Sequence, residues 1–321
     1  MRRREFISLA GGAAAWPLAA RAQTPGRNYR IGYLTGSPRG LPTLALLDEL
    51  RLAGFVEGQN LNLLEGGFGV ADSRLATAAA ALVKAAPDAI FAPGFLQAKA
   101  AQIATKAIPI LTLSEDMIAD GLVSSIARPD GNTTGISLHS PDLDGKRGDM
   151  LLDAVPGLRQ VAVLADPNVD KPPHLQALME SAKARSIELS VFFAGTPEEI
   201  VPALDAAKSS GARAINVLAT VLFFSNSRLV IERARELRLP AVYQWPDLAE
   251  QGGLIGYGPR LTELFRLLGR QLVKILRGTR PSEIPIEQPS KFELVINLKT
   301  AKEIGIEIPA DFALRADKVI E

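Results

Sequence analysis

The chain has 321 residues, with 36 basic and 35 acidic side chains, two histidines and no cysteine. Charge this evenly balanced gives no basic surplus for a phosphate backbone, which argues against a nucleic-acid partner. The missing thiol excludes disulfides, thiolate metal sites, cysteine nucleophiles and a lipid-anchor cysteine together.

At the N-terminus, Arg3-Arg4-Glu5-Phe6-Ile7 resembles a twin-arginine export signal, and Ala20-Arg21-Ala22 has the small-x-small pattern that signal peptidase accepts. The uncharged run from Ile7 to Ala20 contains Gly11, Gly12 and Pro17. It is too short to span about 30 Å of hydrocarbon and too broken to make a good helix. Residues 1–22 therefore read as a signal peptide cleaved before Gln23. The twin-arginine translocase and signal peptidase would be partners during export, and the mature chain would reside in the periplasm. Removing residues 1–22 takes away four arginines and one glutamate, which leaves 32 bases, 34 acids and a formal charge of −2. The remaining length suits two domains, since single cores seldom grow past about 250 to 300 residues.

Along the mature chain, short apolar runs alternate with Ala/Leu-rich amphipathic stretches, the sign of β-α units and parallel sheets covered on both faces. The first half predicts strands at Arg30 to Leu34, Leu61 to Glu65, Ala89 to Ala92 and Ile108 to Thr112. Helices are expected at Thr43 to Ala53, Ser73 to Ala86 and Gln97 to Lys106. The second half predicts strands at Val161 to Ala165, Leu189 to Phe193, Ala214 to Leu218 and Ala241 to Tyr243. Its helices fall at Leu175 to Ser186, Pro197 to Ser210 and Ser227 to Leu237. Gly54 and Pro87 stop the first two helices, and Thr196-Pro197-Glu198-Glu199 starts another with a cap, a first-position proline and acids. Two half-chains with the same order of elements predict two similar doubly wound α/β lobes.

Catalytic motifs are missing. His139 and His174 have no H-x-x-x-H spacing and read as surface histidines, so no metal is expected. There is no G-x-S-x-G elbow and no Walker loop, and Gly66-Gly67-Phe68-Gly69 lacks the third glycine of a dinucleotide fingerprint. No cofactor is implied. What remains is a set of small-polar tips at the carboxyl ends of strands, where open parallel sheets bind ligands. From the first half come Thr35-Gly36-Ser37, Gly94-Phe95-Leu96-Gln97 and Ser114-Glu115-Asp116. From the second half come Asp166-Pro167-Asn168, Thr220 to Phe224 and Gln244-Trp245. Hydroxyls suit a carboxylate, an acid suits an ammonium group and a ring suits a flat apolar body. Each tip, taken singly, reads more often as a helix cap than as a ligand contact.

The stretch Gln288-Pro289-Ser290-Lys291-Phe292-Glu293-Leu294-Val295-Ile296-Asn297-Leu298-Lys299-Thr300-Ala301-Lys302 resembles the C-terminal signature of bacterial ABC-transporter substrate-binding proteins. Gly54 to Asn60, Gly121-Leu122-Val123, Ala127 to Gly135 and Gly252 to Gly258 agree in order. The resemblance implies a type I periplasmic-binding-protein fold, with two lobes joined by three crossings and closing on a ligand. By that pattern lobe one is 28–138 plus 257–283, and lobe two is 139–256 plus 284–321. Thr35, Gly36, Ser37, Gly94, Phe95, Gln97, Ser114 and Asp116 would then face Asn168, Thr220, Phe223 and Gln244 across the cleft.

Members similar to tryptophan-binding proteins hold aromatic amino acids there. This chain has Asp116-Met117 where relatives commonly have Asp-Pro, and Thr220 in a loop where an acid is frequent, so Asp116 is the expected ammonium partner. Phe292 to Asn297 is expected to be an edge strand followed by a short helix from Leu298 to Ile304. Gly256 and Tyr257 lie near an expected crossing, as hinge or as core. The resemblance implies a monomeric, non-enzymatic receptor that binds a small organic solute and hands it to an ABC permease and its ATPase. A sensory receptor docking on a membrane signalling partner, and an exported enzyme, are the rival readings.

Overall fold

The computed structural model describes residues 26–64, 66–138 and 140–321. The leader reading, its cleavage point and His139 lie outside them.

The first lobe is built from β1 (Tyr29–Tyr33), α1 (Leu41–Leu52), β2 (Leu61–Leu64), α2 (Leu75–Lys84), β3 (Ala89–Phe91), α3 (Phe95–Ala104), β4 (Ile110–Ser114) and β5 (Thr133–Ser137). Its strands are all parallel, in the order β2-β1-β3-β4-β5. Every residue of β3, β4 and β5 is buried, as a sheet covered by helices on both faces requires.

The second lobe continues with α4 (Ser140–Ala154), β6 (Gln160–Ala165), α5 (Pro172–Ala184), β7 (Glu188–Phe193), α6 (Pro197–Ser209), β8 (Ala214–Val217), α7 (Val221–Ser225), α8 (Ser227–Glu236), β9 (Ala241–Tyr243), α9 (Pro246–Glu250) and β10 (Ile255–Gly258). Helix α10 (Leu261–Leu276) follows, and then β11 (Glu293–Asn297), α11 (Leu298–Ile304), α12 (Ala310–Ala313) and β12 (Lys318–Ile320). The second sheet runs β12-β11-β10-β9-β8-β6-β7. Its β7-β6-β8-β9-β10 portion repeats the order of the first sheet, and β11 pairs antiparallel with β10. Two similar doubly wound lobes are thus present, as the alternation of elements predicts.

Several particulars differ from the sequence reading. Strand β11 is not an edge, because β12 pairs on its outer side through Val295 to Asn297. Tyr257 and Gly258 belong to β10 in the second sheet rather than to lobe one, and Tyr257 is buried in that lobe's core. Residues 284–287 lie beside β5 instead of in lobe two, with Glu287 N donating to Gly135 O at 3.0 Å and Ser137 N donating to Glu287 O at 3.0 Å.

Helix α10 returns the chain to the first lobe. Its buried residues include 261, 264, 265, 268, 272, 275 and 276, the spacing of an amphipathic helix. Phe265 meets Phe91 edge-on at 5.4 Å. At Gly269 an added methyl would come within 2.8 Å of Glu49 Cβ and 3.0 Å of Leu46 O. Glycine there lets α10 lie directly on α1.

Candidate functional site

The carboxyl ends of the two sheets face each other and enclose a cavity of about 330 Å³, within the range usual for small-molecule sites. The exits of β1, β3 and β4 and the start of α1 form one wall. The exits of β8 and β9 form the other, with Leu261 and Phe265 of α10 at the side. Tyr33, Phe224, Trp245 and Phe265 give the cavity its rings, while Thr35, Ser37, Thr220 and Ser225 give it hydroxyls.

On the first lobe, Tyr33 stacks on Phe68 at 4.3 Å and meets Phe91 edge-on at 4.8 Å. Its hydroxyl lies 3.1 Å from Thr43 Oγ1. Burial pushes the phenol up, so it stays protonated and able to donate. Thr35 Oγ1 accepts from Ser37 N at 3.1 Å, which fixes the β1 exit as a tight turn. On the second lobe, Thr220 caps α7 by accepting from Phe223 N at 3.1 Å. With its amide oriented to satisfy both neighbours, Gln244 donates to Leu218 O at 3.1 Å and accepts from Trp245 Nε1 at 3.0 Å. Gln244 therefore sets the angle at which Trp245 enters the cavity wall.

Nine of the twelve residues chosen from sequence fall into three groups. Thr35, Ser37, Gly94, Thr220 and Gln244 line the central cavity together. Phe95 and Gln97 line a small adjoining pocket with Gly94, Glu115, Asp166 and Thr220. Gly36 and Asn168 lie on an outer groove between the lobes.

Three expected contacts do not reach any of these spaces. Asp116 Oδ1 accepts from Ile118 N and Ala119 N, each at 3.0 Å, so its carboxylate caps its own turn. Ser114 is buried with Oγ 2.6 Å from Asp120 Oδ2. Phe223 is packed in the main core, and the next ring, Phe224, faces the cavity instead.

Glu115, one residue before Asp116, is the acid that lines both the cavity and the adjoining pocket. Burial pushes its carboxyl well above the usual range, the charge of Asp144 adds to this and Arg147 opposes it. Behind it lies a buried ionic cluster on the second lobe. Arg147 pairs with Asp144 at 2.5 Å and donates to Tyr257 O at 2.9 Å and Gln244 O at 3.4 Å. His174 Nε2 stands 3.2 Å from Asp144 Oδ2 with its side chain only 16% exposed, so it is not the surface histidine expected from sequence. Burial works to lower the His174 pKa, but the carboxylates of Asp144 and Asp170 raise it on balance.

Among the described residues no group of three or more His, Cys, Asp or Glu could hold a metal ion, and no helix is long and apolar enough to cross a membrane.

Comparison with known proteins follows the same lines. A tyrosine-binding protein of Clostridioides difficile is 27% identical over 225 residues, which take in 68% of this chain and 64% of that protein. A solved domain from Streptococcus pneumonia, in complex with L-Trp, superposes with a TM-score of 0.81 at 24% identity, over 91% of this chain and 100% of that one. A conserved domain protein of Vibrio cholerae gives a TM-score of 0.83 at 22% identity, over 91% and 100% of the two chains. The ligand-free, open structure of a substrate-binding protein with adhesive properties from Clostridium difficile gives 0.61 at 23% identity, over 91% and 99%. The profile of the family described as ABC transporter substrate binding protein matches residues 46–320, and the chain belongs to that family.

Proposed function

We propose that this protein is an exported receptor that closes on a small amino-acid-like solute with a flat apolar body and delivers it to an ABC permease and its ATPase. The observation that carries this reading is the cavity itself. Rings from both lobes form its walls, and hydroxyls and one carboxyl stand at strand ends where a carboxylate and an ammonium group could be held. The tyrosine-binding relative and the L-Trp complex support an aromatic amino acid as the solute class. The twin-arginine-like leader supports delivery to the periplasm, and the chain is taken to act as a monomer without catalysis.

A thermal-shift screen of residues 23–321 against amino acids, aromatic acids, sugars and polyamines tests this. Ligand at 100 times its dissociation constant adds about 2.7 kcal/mol. A shift confined to aromatic amino acids is the expected result, and a shift confined to sugars or polyamines would reject the solute class.

A further inference from the structure

Val221, the first residue of α7, lines the central cavity, the outer groove and the small polar pocket, and so stands where the three meet. It belongs to the second lobe, yet its side chain rests on two glycines of the first. A methyl group built on Gly94 would come within 2.5 Å of Val221 Cγ2 and would also strike Gln97 Oε1. One built on Gly36 would lie at contact distance, 3.4 Å, from Val221 Cγ1. Gly94 also has φ +109°, a backbone conformation that side chains disfavour. The isopropyl group thus fills a notch that exists because two neighbouring tips lack side chains. Beside it, Ser37 Oγ and Ser225 Oγ lie 2.7 Å apart and join the same two segments.

A packed notch of this kind has two physical effects. Contacts this close leave no slack, so a larger side chain on either face must hold the lobes apart. Removing the two methyl groups, in contrast, opens the central cavity toward an outer groove of about 1050 Å³.

We propose that Val221 is a cross-cleft key: seated between Gly36 and Gly94, it is the largest side chain the closed lobes admit there and walls the ligand cavity off from the outer groove, so limiting ligand length. The limit on length rests on the reading of the central cavity as the solute site, whereas the limit on side-chain size does not.

Because the chain has no cysteine, the Ser37→Cys/Ser225→Cys pair gives a closure trap, since the two side-chain oxygens it replaces lie 2.7 Å apart across the cleft and a disulfide needs that proximity. Cross-linking under mild oxidant is timed in this background and in versions carrying a further change at Val221 or Gly94, each checked for folding by its melting curve. Val221→Phe and Gly94→Ala should slow trapping by about tenfold or more, while Val221→Ala leaves the rate near that of the parent pair. Adding Val221→Ala to Gly94→Ala should restore much of the lost rate, which separates the collision with Val221 from strain at Gly94 itself. Trapping of Val221→Phe at the parent rate would overturn the key, as would a parent pair that never cross-links.

The second arm titrates L-tryptophan and the dipeptide tryptophyl-glycine into the serine-containing protein. The parent should bind the amino acid and reject the dipeptide, and Val221→Ala should accept both. An unchanged preference in Val221→Ala would overturn the length limit. Failure of the parent to bind either would remove the solute reading alone, because cross-linking tests the key without ligand.

Discussion

Ser37 Oγ and Ser225 Oγ lie 2.7 Å apart across the cleft although 188 residues separate them along the chain. The pair ties the β1 exit of one lobe to α7 of the other, so it is made only when the lobes meet. Ser225→Ala should weaken ligand binding by about 0.5 to 1.5 kcal/mol, the net value of an ordinary hydrogen bond. Calorimetry reads this directly, and an unchanged affinity would show that the bridge adds nothing to the bound state.

Arg147 is among the largest fully buried side chains of the described residues, and its guanidinium joins α4 to the backbone at the exit of β9 and in β10 through Gln244 O and Tyr257 O. Arg147→Met would strand the carboxylate of Asp144, which is 1% exposed. Breaking a buried pair in this way costs about 3 to 5 kcal/mol. At roughly 2 to 4 °C per kcal/mol for a chain of this size, Tm should fall by about 10 °C. A fall of under about 2 °C would show that Asp144 is neutralised by other means.

Burial raises the carboxyl of Asp170 to about 7, while its Oδ2 accepts from Asp166 N at 2.7 Å. An acid that holds its proton more tightly when folded stabilises the fold at low pH. That contribution is lost as pH climbs from the unfolded value near 4 through the folded value near 7, and it is flat above. Asp170→Asn imitates the protonated form and should remove this part of the pH dependence. Its Tm relative to the parent should therefore rise between about pH 5 and pH 8, by the equivalent of about 2 kcal/mol. A difference that stays constant over that range would contradict the assignment.

Asp116 and Glu115 should separate cleanly on mutation. Asp116→Ala removes a turn cap and should cost about 1 kcal/mol of stability with little effect on binding. Glu115→Gln should cost at least about 1.5 kcal/mol of affinity for a ligand carrying an ammonium group, whose charge would hold the buried carboxyl ionised. Paired melting curves and titrations distinguish the two, and the reverse pattern would restore Asp116 as the ligand contact.

Strands of the doubly wound lobes were legible because short β-branched and apolar runs sit between Gly, Pro and Asp turns. Of the elements that escaped, three did so for identifiable reasons. Thr133-Thr134-Gly135 in β5 looks polar, yet it is buried because Thr134 Oγ1 donates to Ile284 O at 2.8 Å, a partner 150 residues away. Strand β10 carries two glycines, which mask its strand character, and it is held by β9 and β11 on either side. Helix α10 was not read from sequence although its apolar residues recur with a 3.6-residue period, and its return to the first lobe depends on Gly269 meeting α1.

The site was legible as a set of strand-end tips, but not residue by residue. Glu115 rather than Asp116, and Phe224 rather than Phe223, face the cavity. Each difference is a single position, because side-chain direction within a turn follows backbone angles that residue types do not fix. Trp245 was visible beside Gln244, but its orientation depends on an amide-indole hydrogen bond that appears only in three dimensions.

The most direct test of the central claim is isothermal titration of residues 23–321 with L-tryptophan, L-tyrosine and L-phenylalanine, with an aliphatic amino acid and a hexose as controls, repeated on Trp245→Ala. The account predicts one aromatic amino acid bound per chain, no heat from the hexose, and an affinity loss in Trp245→Ala of about 3 kcal/mol, the low end for removing a buried ring. Saturable binding of the hexose without any aromatic amino acid, or aromatic binding indifferent to Trp245, would contradict it.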